Sequence, residues 1–303
     1  MWSEQGKVAH QVTSGHPERQ NSSAAAILAY DVPHRAPWDW RLSLYTWTKG
    51  IAAGAYVVPA LLVLFGFLSH TSVLWRWGSP IVAGVFLAFT GIILIADLEH
   101  PERFYYIFTH RQMKSWLVRG AFIITLYALV LALHVLGSVM SSGTALHSAL
   151  MLAGVPLSVL TAVYTAYLFA QATARDLWQN PLLPVHFLMQ AILAGAAVLL
   201  LGVAWSESTI GSPLAWMLGA ASLLHLFLVC SEVTMAHPTA HARLAAEEMT
   251  HGQFRSYFWT GIILVSFGVL APWLGALVSM PALVGLLAHE HAYVQAGQAV
   301  PLA

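Results

Sequence analysis

Long apolar runs separated by short polar stretches make up most of this chain. Several runs exceed the roughly 18 residues that an α-helix needs to cross the hydrocarbon core of a bilayer. Eight spans are predicted, at about residues 45–68, 80–96, 116–137, 148–172, 185–204, 213–235, 257–274 and 280–297. The eighth is the weakest because His289, Glu290 and His291 interrupt it, so the hydropathy pattern supports seven or eight spans.

The amino-acid composition also indicates a membrane protein. Apolar residues make up 58% of it and charged residues only 9%, whereas about a quarter of the residues in soluble domains are charged. Repeated long runs exclude a lone anchor and the short alternating strands of a β-barrel. We therefore predict an all-α polytopic membrane protein of about eight transmembrane helices packed as two four-helix bundles. Residues 45–303 form the membrane domain, and the polar residues 1–44 form a cytoplasmic arm, for which disorder is the alternative.

Few residues offer ligands for metals or clusters. The single cysteine, Cys230, excludes an internal disulfide and a thiolate set for iron–sulfur or structural zinc sites. A bis-histidine haem needs two imidazoles at equal depth, but the pairs His186 with His237 and His134 with His147 lie at helix ends or in loops. Local metal-binding, nucleotide-binding and hydrolase motifs are absent from the sequence. We expect no haem, cluster or metal site in this chain, and no nucleic-acid partner.

The basic residues indicate an orientation. Of the 13 Lys and Arg residues, only Arg76 falls on one side of the predicted spans, and the others fall on the opposite side or at its helix ends. Positive residues stay in the cytoplasm during insertion. We expect the N-terminus, the loops after spans two, four and six, and the C-terminus to face the cytoplasm of a bacterial inner membrane.

The loop at residues 97–120 is crowded with charges and aromatic rings. Asp97 ends one apolar run, and Arg119 lies inside the start of the next. A charge costs about 2.5–3.5 kcal/mol at the bilayer centre and less near its surface, so charged residues here suggest a function. The alternative is that Asp97 and Arg119 only pair and extend to the interface.

Polar side chains gather toward the cytoplasmic half of the predicted membrane domain. Tyr164 lies about 16 Å from that surface by the 1.5 Å helical rise, and His225 lies two turns deeper than Glu232 on the same helix face. Donors, a proton carrier and flat apolar walls are what a quinone head group requires. We predict a quinone pocket here, the alternative being groups that are satisfied locally at helix ends. The other members of the polar set are Lys49, Asp97, Arg119 and His186, with walls from Trp47, Trp116 and Trp178.

Several motifs resemble one family. The pattern DLEHPERFYYI…SWLVRGAF within residues 97–122 is similar to the second-loop signature of the NrfD-type membrane subunits, the family of the polysulfide-reductase quinone-binding subunit. TKGIAAGA (48–55), RDLWQN (175–180) and AGQAVPL (296–302) resemble other family elements. The first of these contains a small-xxx-small spacing, which allows two helices to approach closely. The resemblance covers residues from about 40 to the end.

The resemblance implies an eight-helix, haemless subunit that exchanges electrons between membrane menaquinone or ubiquinone and a ferredoxin-like, four-cluster iron–sulfur subunit. That partner would dock on the loop at residues 97–120 and other cytoplasmic loops, and would be linked to a molybdopterin-type catalytic subunit. The chain is then the quinone-reactive part of an oxidoreductase and has no catalysis in isolation. In the polysulfide-reductase member the docking face lies outside the cytoplasm, whereas the Lys and Arg distribution here places it inside.

The resemblance also implies the residues of the quinone site, by their positions in the family's motifs and helices. Tyr164 matches the family's fourth-helix tyrosine at the quinone head, and His186 matches the fifth-helix wall. Lys49 is the candidate where that member has a first-helix histidine. The remaining expected quinone contacts are Trp47 and Arg119, and the expected catalytic residues are Asp97, Glu232 and His225. Asp97, Arg119 and Glu232 would tune the site electrostatically, and Glu232 with His225 would pass protons.

Two other functions are compatible with the sequence. A secondary transporter or ion-translocating protein would use Asp97, Glu232 and His225, but such proteins bind substrate near the midplane between repeats with paired broken helices. Here the polar groups gather toward one face and no paired broken helices are evident. A passive anchor for the iron–sulfur partner is the other alternative, and the reaction of the complex with quinone analogues distinguishes it.

Overall fold

The computed structural model describes residues 38–140, 143–203 and 208–300. Eight long helices in this part of the chain follow the predicted spans to within a few residues. Most of the predicted arm, residues 1–37, and the last residues of the 296–302 motif lie outside the described residues. The helices are α1 (Trp40–Leu64), α2 (Ser79–Ala96), α3 (Trp116–Val139), α4 (Thr144–Ala170), α5 (Leu183–Val203), α6 (Ser208–Thr234), α7 (Arg255–Val269) and α8 (Ser279–Ala299).

Seven helical segments of the described chain are long and apolar enough to cross a membrane. The second of them joins α2 to the π-helical turn Leu74–Gly78, and the last joins α8 to the short turns that begin at Ala271. Helix α7 has 15 residues, or about 22 Å at the helical rise. It is therefore shorter than the 18 residues taken as the minimum for a membrane span. This agrees with the seven or eight spans predicted from hydropathy.

The outer surface of the helices is apolar. Large side chains such as Phe89, Leu152, Phe227 and Leu277 are more than half exposed. A soluble domain rarely shows a continuous apolar surface of this extent, whereas lipid tails cover it without cost. The distribution identifies a multi-pass membrane protein.

The helices pack as the predicted two four-helix bundles. In the first bundle α1 packs on α2 and α4, and α3 packs on α2 and α4; in the second, α5 packs on α6, and α7 packs on α6 and α8. Helix α1 contacts α5 more extensively than any other helix, so it joins the bundles. This accounts for the nearly complete burial of α1 between Tyr45 and Leu62.

Two glycines allow this contact between α1 and α5. A Cβ on Gly54 would lie 1.8 Å from the Ala191 carbonyl oxygen, and a Cβ on Gly195 would lie 2.1 Å from the Gly54 carbonyl carbon. No side chain fits at either position. The close helix approach predicted for residues 48–55 is confirmed at Gly54, whereas Gly50 keeps an ordinary distance of 3.9 Å.

Side chains and backbone tie the helix ends together on the side where the basic residues lie. Arg175 donates hydrogen bonds to the carbonyl oxygens of Gln298 (3.0 Å) and Val300 (2.6 Å). Thr239 donates to Asp176 at 2.6 Å and caps the surface helix Ala240–Thr250. These contacts fix the loops after α4 and α6, which cover buried polar side chains inside the bundles.

Candidate functional site

Lys49 is the most deeply buried cation of the described chain, with no exposed surface. Its Nζ donates a hydrogen bond of 2.8 Å to the Ala162 carbonyl oxygen on α4. The same ammonium lies 4.9 Å from the ring centre of Tyr164 and 5.1 Å from that of Phe187, distances at which a cation is attracted to an aromatic face. A charge held between α1, α4 and α5 therefore faces the junction of the bundles.

Glu290 of α8 is a buried carboxyl group that contacts α1 close to this lysine in the chain. Thr46 Oγ1, one turn before Lys49, donates a hydrogen bond of 2.6 Å to Glu290 Oε2. A cavity of about 10 Å³, which is about one water-sized space, lies beside them and is also lined by His186 and Gln190. Thr46 thus links the Lys49 turn of α1 to a buried carboxyl group of α8 at the bundle interface.

Tyr164 lies beside Lys49 because Gly120 leaves room for its ring. A Cβ on Gly120 would come within 2.3 Å of the Tyr164 ring. Tyr167, one turn further along α4, is 41% exposed and stacks on Trp116 at 4.5 Å between ring centres. These two tyrosines of α4 therefore differ, with Tyr164 in the interior and Tyr167 at the surface.

Three buried histidines meet inside the second bundle: His186 of α5, His225 of α6 and His289 of α8. Their ring centres are 4.8 to 5.6 Å apart, and at most 4% of each is exposed. His186 Nε2 and His225 Nδ1 share a hydrogen bond of 2.9 Å. We call these three residues the histidine cluster.

Glu232 lies between the histidine cluster and the surface. Its Oε1 accepts a hydrogen bond of 3.0 Å from Asn180, and its Oε2 is 4.0 Å from His186 Nδ1. A cleft of about 240 Å³ leads to it from the loops after α4 and α6, with Asp176 and His237 among its lining residues. The cleft connects the basic side of the molecule with buried ionisable groups.

Comparison with known proteins places this architecture in a family. Residues 31–301 match the family model described as "Polysulphide reductase, NrfD". This chain belongs to the NrfD family. Protein NrfD of Escherichia coli (strain K12) is 25% identical to it, with 86% of this chain and 95% of that protein covered.

Two other relatives are named as parts of reductases. A polysulfide reductase chain of Wolinella succinogenes is 26% identical over 74% of this NrfD-family chain and 78% of its own length. A selenate reductase subunit of Mesobacillus selenatarsenatis is 23% identical over 75% of this chain and 63% of its own length.

The family-like loop at residues 97–120 is an exposed surface in the structure. Its turns present aromatic side chains to the outside, and Asp97 begins it as the C-cap of α2. Burial raises the pKa of the Asp97 carboxyl above its usual value, and nearby Asp39 raises it further, while Arg41, 3.8 Å away, opposes the shift. Asp97 is therefore tied to the start of α1. The exposed aromatic residues are Phe104, Tyr105, Tyr106 and Phe108.

Two expected quinone contacts lie apart from Lys49 and Tyr164. Arg119 donates from Nε to the Met113 carbonyl oxygen at 2.6 Å and lies 4.8 Å from the Trp116 ring centre. Trp47 donates from Nε1 to the Leu283 carbonyl oxygen at 2.9 Å. Two residues on a helix turn by about 200°, so Trp47 faces α8 while Lys49 faces α4 and α5.

In the structure the residues expected at one quinone site fall into two groups. Lys49 and Tyr164 are in contact, whereas His186 points to His225 and Glu232. Glu290 and His289 entered the sequence reasoning only as interruptions of the eighth span. Ionisable residues inside an apolar run are themselves a functional signal, and that signal was present in the sequence.

Proposed function

We propose that this chain is the quinone-reactive membrane subunit of a bacterial oxidoreductase complex. Membership in the NrfD family and two relatives named as parts of polysulfide and selenate reductases support a role in a reductase complex. The observation that carries the finer proposal is the buried Lys49 ammonium beside Tyr164, at the junction of the two bundles.

The residues around Lys49 offer the donors and rings that a quinone head group needs, and entry of that group requires side chains to move, because the adjoining cavity of about 10 Å³ holds about one water molecule. An ammonium has three N–H donors, and among the described contacts one hydrogen bond is formed, to Ala162. Lys49 therefore has donors for a quinone carbonyl oxygen, and the rings of Tyr164 and Phe187 provide flat walls. When bound, menaquinone or ubiquinone takes up or releases two electrons and two protons. Lys49 would stabilise negative charge on the carbonyl oxygen by charge-assisted hydrogen bonding.

Electrons would pass between the quinone and a partner. The exposed aromatic surface of the loop at residues 97–120 supports docking of a ferredoxin-like iron–sulfur subunit, itself joined to a molybdopterin-type catalytic subunit. Aromatic residues are enriched in protein interfaces. The basic residues at the same helix ends favour a cytoplasmic location for this face in the bacterial inner membrane.

The expected catalytic residues have separate places in this scheme. Asp97, with Arg119 at the other end of the loop, would set the electrostatic potential beneath the docked partner. Glu232 would do so from the side of the cleft. Proton transfer by Glu232 and His225 stays a prediction.

Two substitutions test the quinone proposal on the purified complex. Lys49→Gln removes the charge and Tyr164→Phe removes the hydroxyl, and both should slow the reaction with a short-chain quinone analogue at least about tenfold, the rate equivalent of roughly 1.4 kcal/mol. The reaction of the complex with a soluble redox dye should stay unchanged, since the dye does not need this subunit.

Tyr127→Phe is the matched control. Tyr127 is also fully buried in the first bundle and donates a hydrogen bond of 2.8 Å to the Ala52 carbonyl oxygen. Its loss should leave the quinone rate per assembled complex unchanged. Equal quinone rates in wild type, Lys49→Gln and Tyr164→Phe would refute the proposed site, and a complex with no quinone reaction at all would favour a passive anchor.

A further inference from the structure

The histidine cluster has more ring nitrogens than hydrogen-bond partners. His289 has no exposed surface, and neither its Nδ1 nor its Nε2 has a hydrogen-bond partner. His225 Nε2 is also buried without a partner. A polar atom removed from water and left unpaired destabilises the fold. Three such nitrogens on two adjacent rings are therefore available to a ligand, and His186 and His289 also line the water-sized cavity beside Glu290.

Geometry limits the class of ligand. One ring nitrogen from each of His186, His225 and His289 lies within 4.8 Å of the other two. Around a tetrahedral zinc ion, with Zn–N distances of about 2.0–2.1 Å, ligand nitrogens are about 3.3 Å apart. Side-chain movements of about 1.5 Å, the difference between 4.8 and 3.3 Å, would bring the three nitrogens to that separation.

We propose that His186, His225 and His289 bind a divalent transition-metal ion of the zinc class, which links α5, α6 and α8. Imidazole nitrogens suit Zn²⁺ and its neighbours among the first-row metals. Three protein ligands leave a fourth tetrahedral position for water or another small ligand. This site is distinct from the quinone contacts proposed at Lys49 and Tyr164, and neither proposal depends on the other.

Glu232 supplies the charge that such a site needs. Its Oε2 has no hydrogen-bond partner and lies 4.0 Å from His186 Nδ1. When a histidine binds a metal through one ring nitrogen, its other ring N–H often donates a hydrogen bond to a carboxylate. This bond fixes the orientation of the ring and raises the basicity of the nitrogen that binds the metal. Glu232 thus has the position of this outer carboxylate, and its negative charge offsets part of the buried metal charge.

The cleft provides an entry path. Asp176 and His237 line it on the way to Glu232 and His186. Burial lowers the pKa of His237, and Arg243 lowers it further, while Glu247 opposes the shift. The His237 imidazole and the Asp176 carboxylate therefore offer ligand atoms to a cation that moves through the cleft from the surface to the histidine cluster.

The first test is metal content. The intact complex is stripped with a chelator, equilibrated with Zn²⁺, freed of excess metal and assayed by mass spectrometry. We expect His289→Gln to lose about one zinc per chain relative to wild type, since one site has lost a ligand. His134→Gln is the control, because His134 is equally buried but lies in the first bundle beside Tyr56, and it should bind as much zinc as wild type.

A second measurement keeps the test decisive if His289→Gln fails to fold. Glu232→Gln preserves all three ligands and should weaken zinc binding about 10–100-fold. Co²⁺ in place of Zn²⁺ should give the strong visible absorption of a tetrahedral ion in wild type, and that absorption should disappear in His225→Gln. Equal zinc content in wild type and His289→Gln, equal zinc affinity in wild type and Glu232→Gln, or no tetrahedral Co²⁺ spectrum in wild type would overturn the site.

Discussion

The contact between α1 and α5 leads to a quantitative prediction about stability. In Gly54→Ala the new Cβ would lie 1.8 Å from the Ala191 carbonyl oxygen and 2.9 Å from the Gly195 Cα. Ordinary contact begins at 3.4 Å, so the two backbones must separate by about 1.6 Å, the difference between 3.4 and 1.8 Å. Backbone atoms cannot rotate out of the way as a side chain does.

Two effects of the substitution oppose each other. Overpacking costs about 1–3 kcal/mol, and the rigid backbone on both sides places Gly54 at the upper end. Alanine gains about 1 kcal/mol over glycine in a helix interior. The clash is larger, so we expect a net loss of about 2 kcal/mol in the free energy of unfolding. In Gly50→Ala the nearest atom to the new Cβ is 3.9 Å away. That variant has no clash, so it keeps only the gain of about 1 kcal/mol in helix propensity.

Thermal unfolding of the detergent-purified protein measures this difference. Gly54→Ala should melt several degrees below wild type, since a loss of 1 kcal/mol lowers the midpoint by about 2–4 °C in domains of 150–250 residues. Gly50→Ala should melt at or above the wild-type temperature. Equal midpoints for the two variants would refute the view that backbone contact at Gly54 joins the bundles.

Three further predictions concern other contacts. Gly120→Ala should push the Tyr164 ring aside, because the new Cβ meets it at 2.3 Å, and slow the quinone reaction while assembly persists; an unchanged rate would remove Tyr164 from the site. The raised pKa of Asp97 means that the folded state binds its proton more tightly than the unfolded state, so this carboxyl reduces stability as the pH rises from its ordinary pKa of about 4 through its raised folded pKa. Melting curves of Asp97→Asn over that range should lack this decline, and an identical pH dependence would contradict it. Arg175→Gln should cost about 1.5–3 kcal/mol by removing charged hydrogen bonds to the end of α8; limited proteolysis should then cut the C-terminal end faster, and an unchanged cutting rate would argue against that tie.

The membrane architecture could be predicted from the sequence because it rests on local patterns. Apolar runs of helical length defined all eight helices, and the spacing around Gly54 indicated one close contact. Depth along a helix also follows from counting residues, which gave Tyr164 a depth of about 16 Å, whereas the pairing of Tyr164 with Lys49 came from the family resemblance. Depth alone does not give the direction of a side chain around the helix, and Trp47 shares α1 with Lys49 but faces α8.

The histidine cluster could not be predicted in the same way. His186 and His225 are 39 residues apart, and His289 comes from a third helix. No local motif connects them, and only the packing of the second bundle brings their rings together. Glu290 had a local signal in its apolar surroundings, but its bond to Thr46 depends on the contact between α1 and α8.

The most direct test of the central claim is the reaction of the native complex with quinone. The complex is purified in mild detergent on a tag attached to this chain, its subunits are identified, and electron transfer is followed with a short-chain quinone or quinol. The proposal predicts that iron–sulfur and molybdopterin subunits accompany the chain and that the complex reacts with quinone at a rate that Lys49→Gln lowers. An intact complex that reacts with a soluble dye but not with quinone, or a chain that purifies without redox partners, would contradict it.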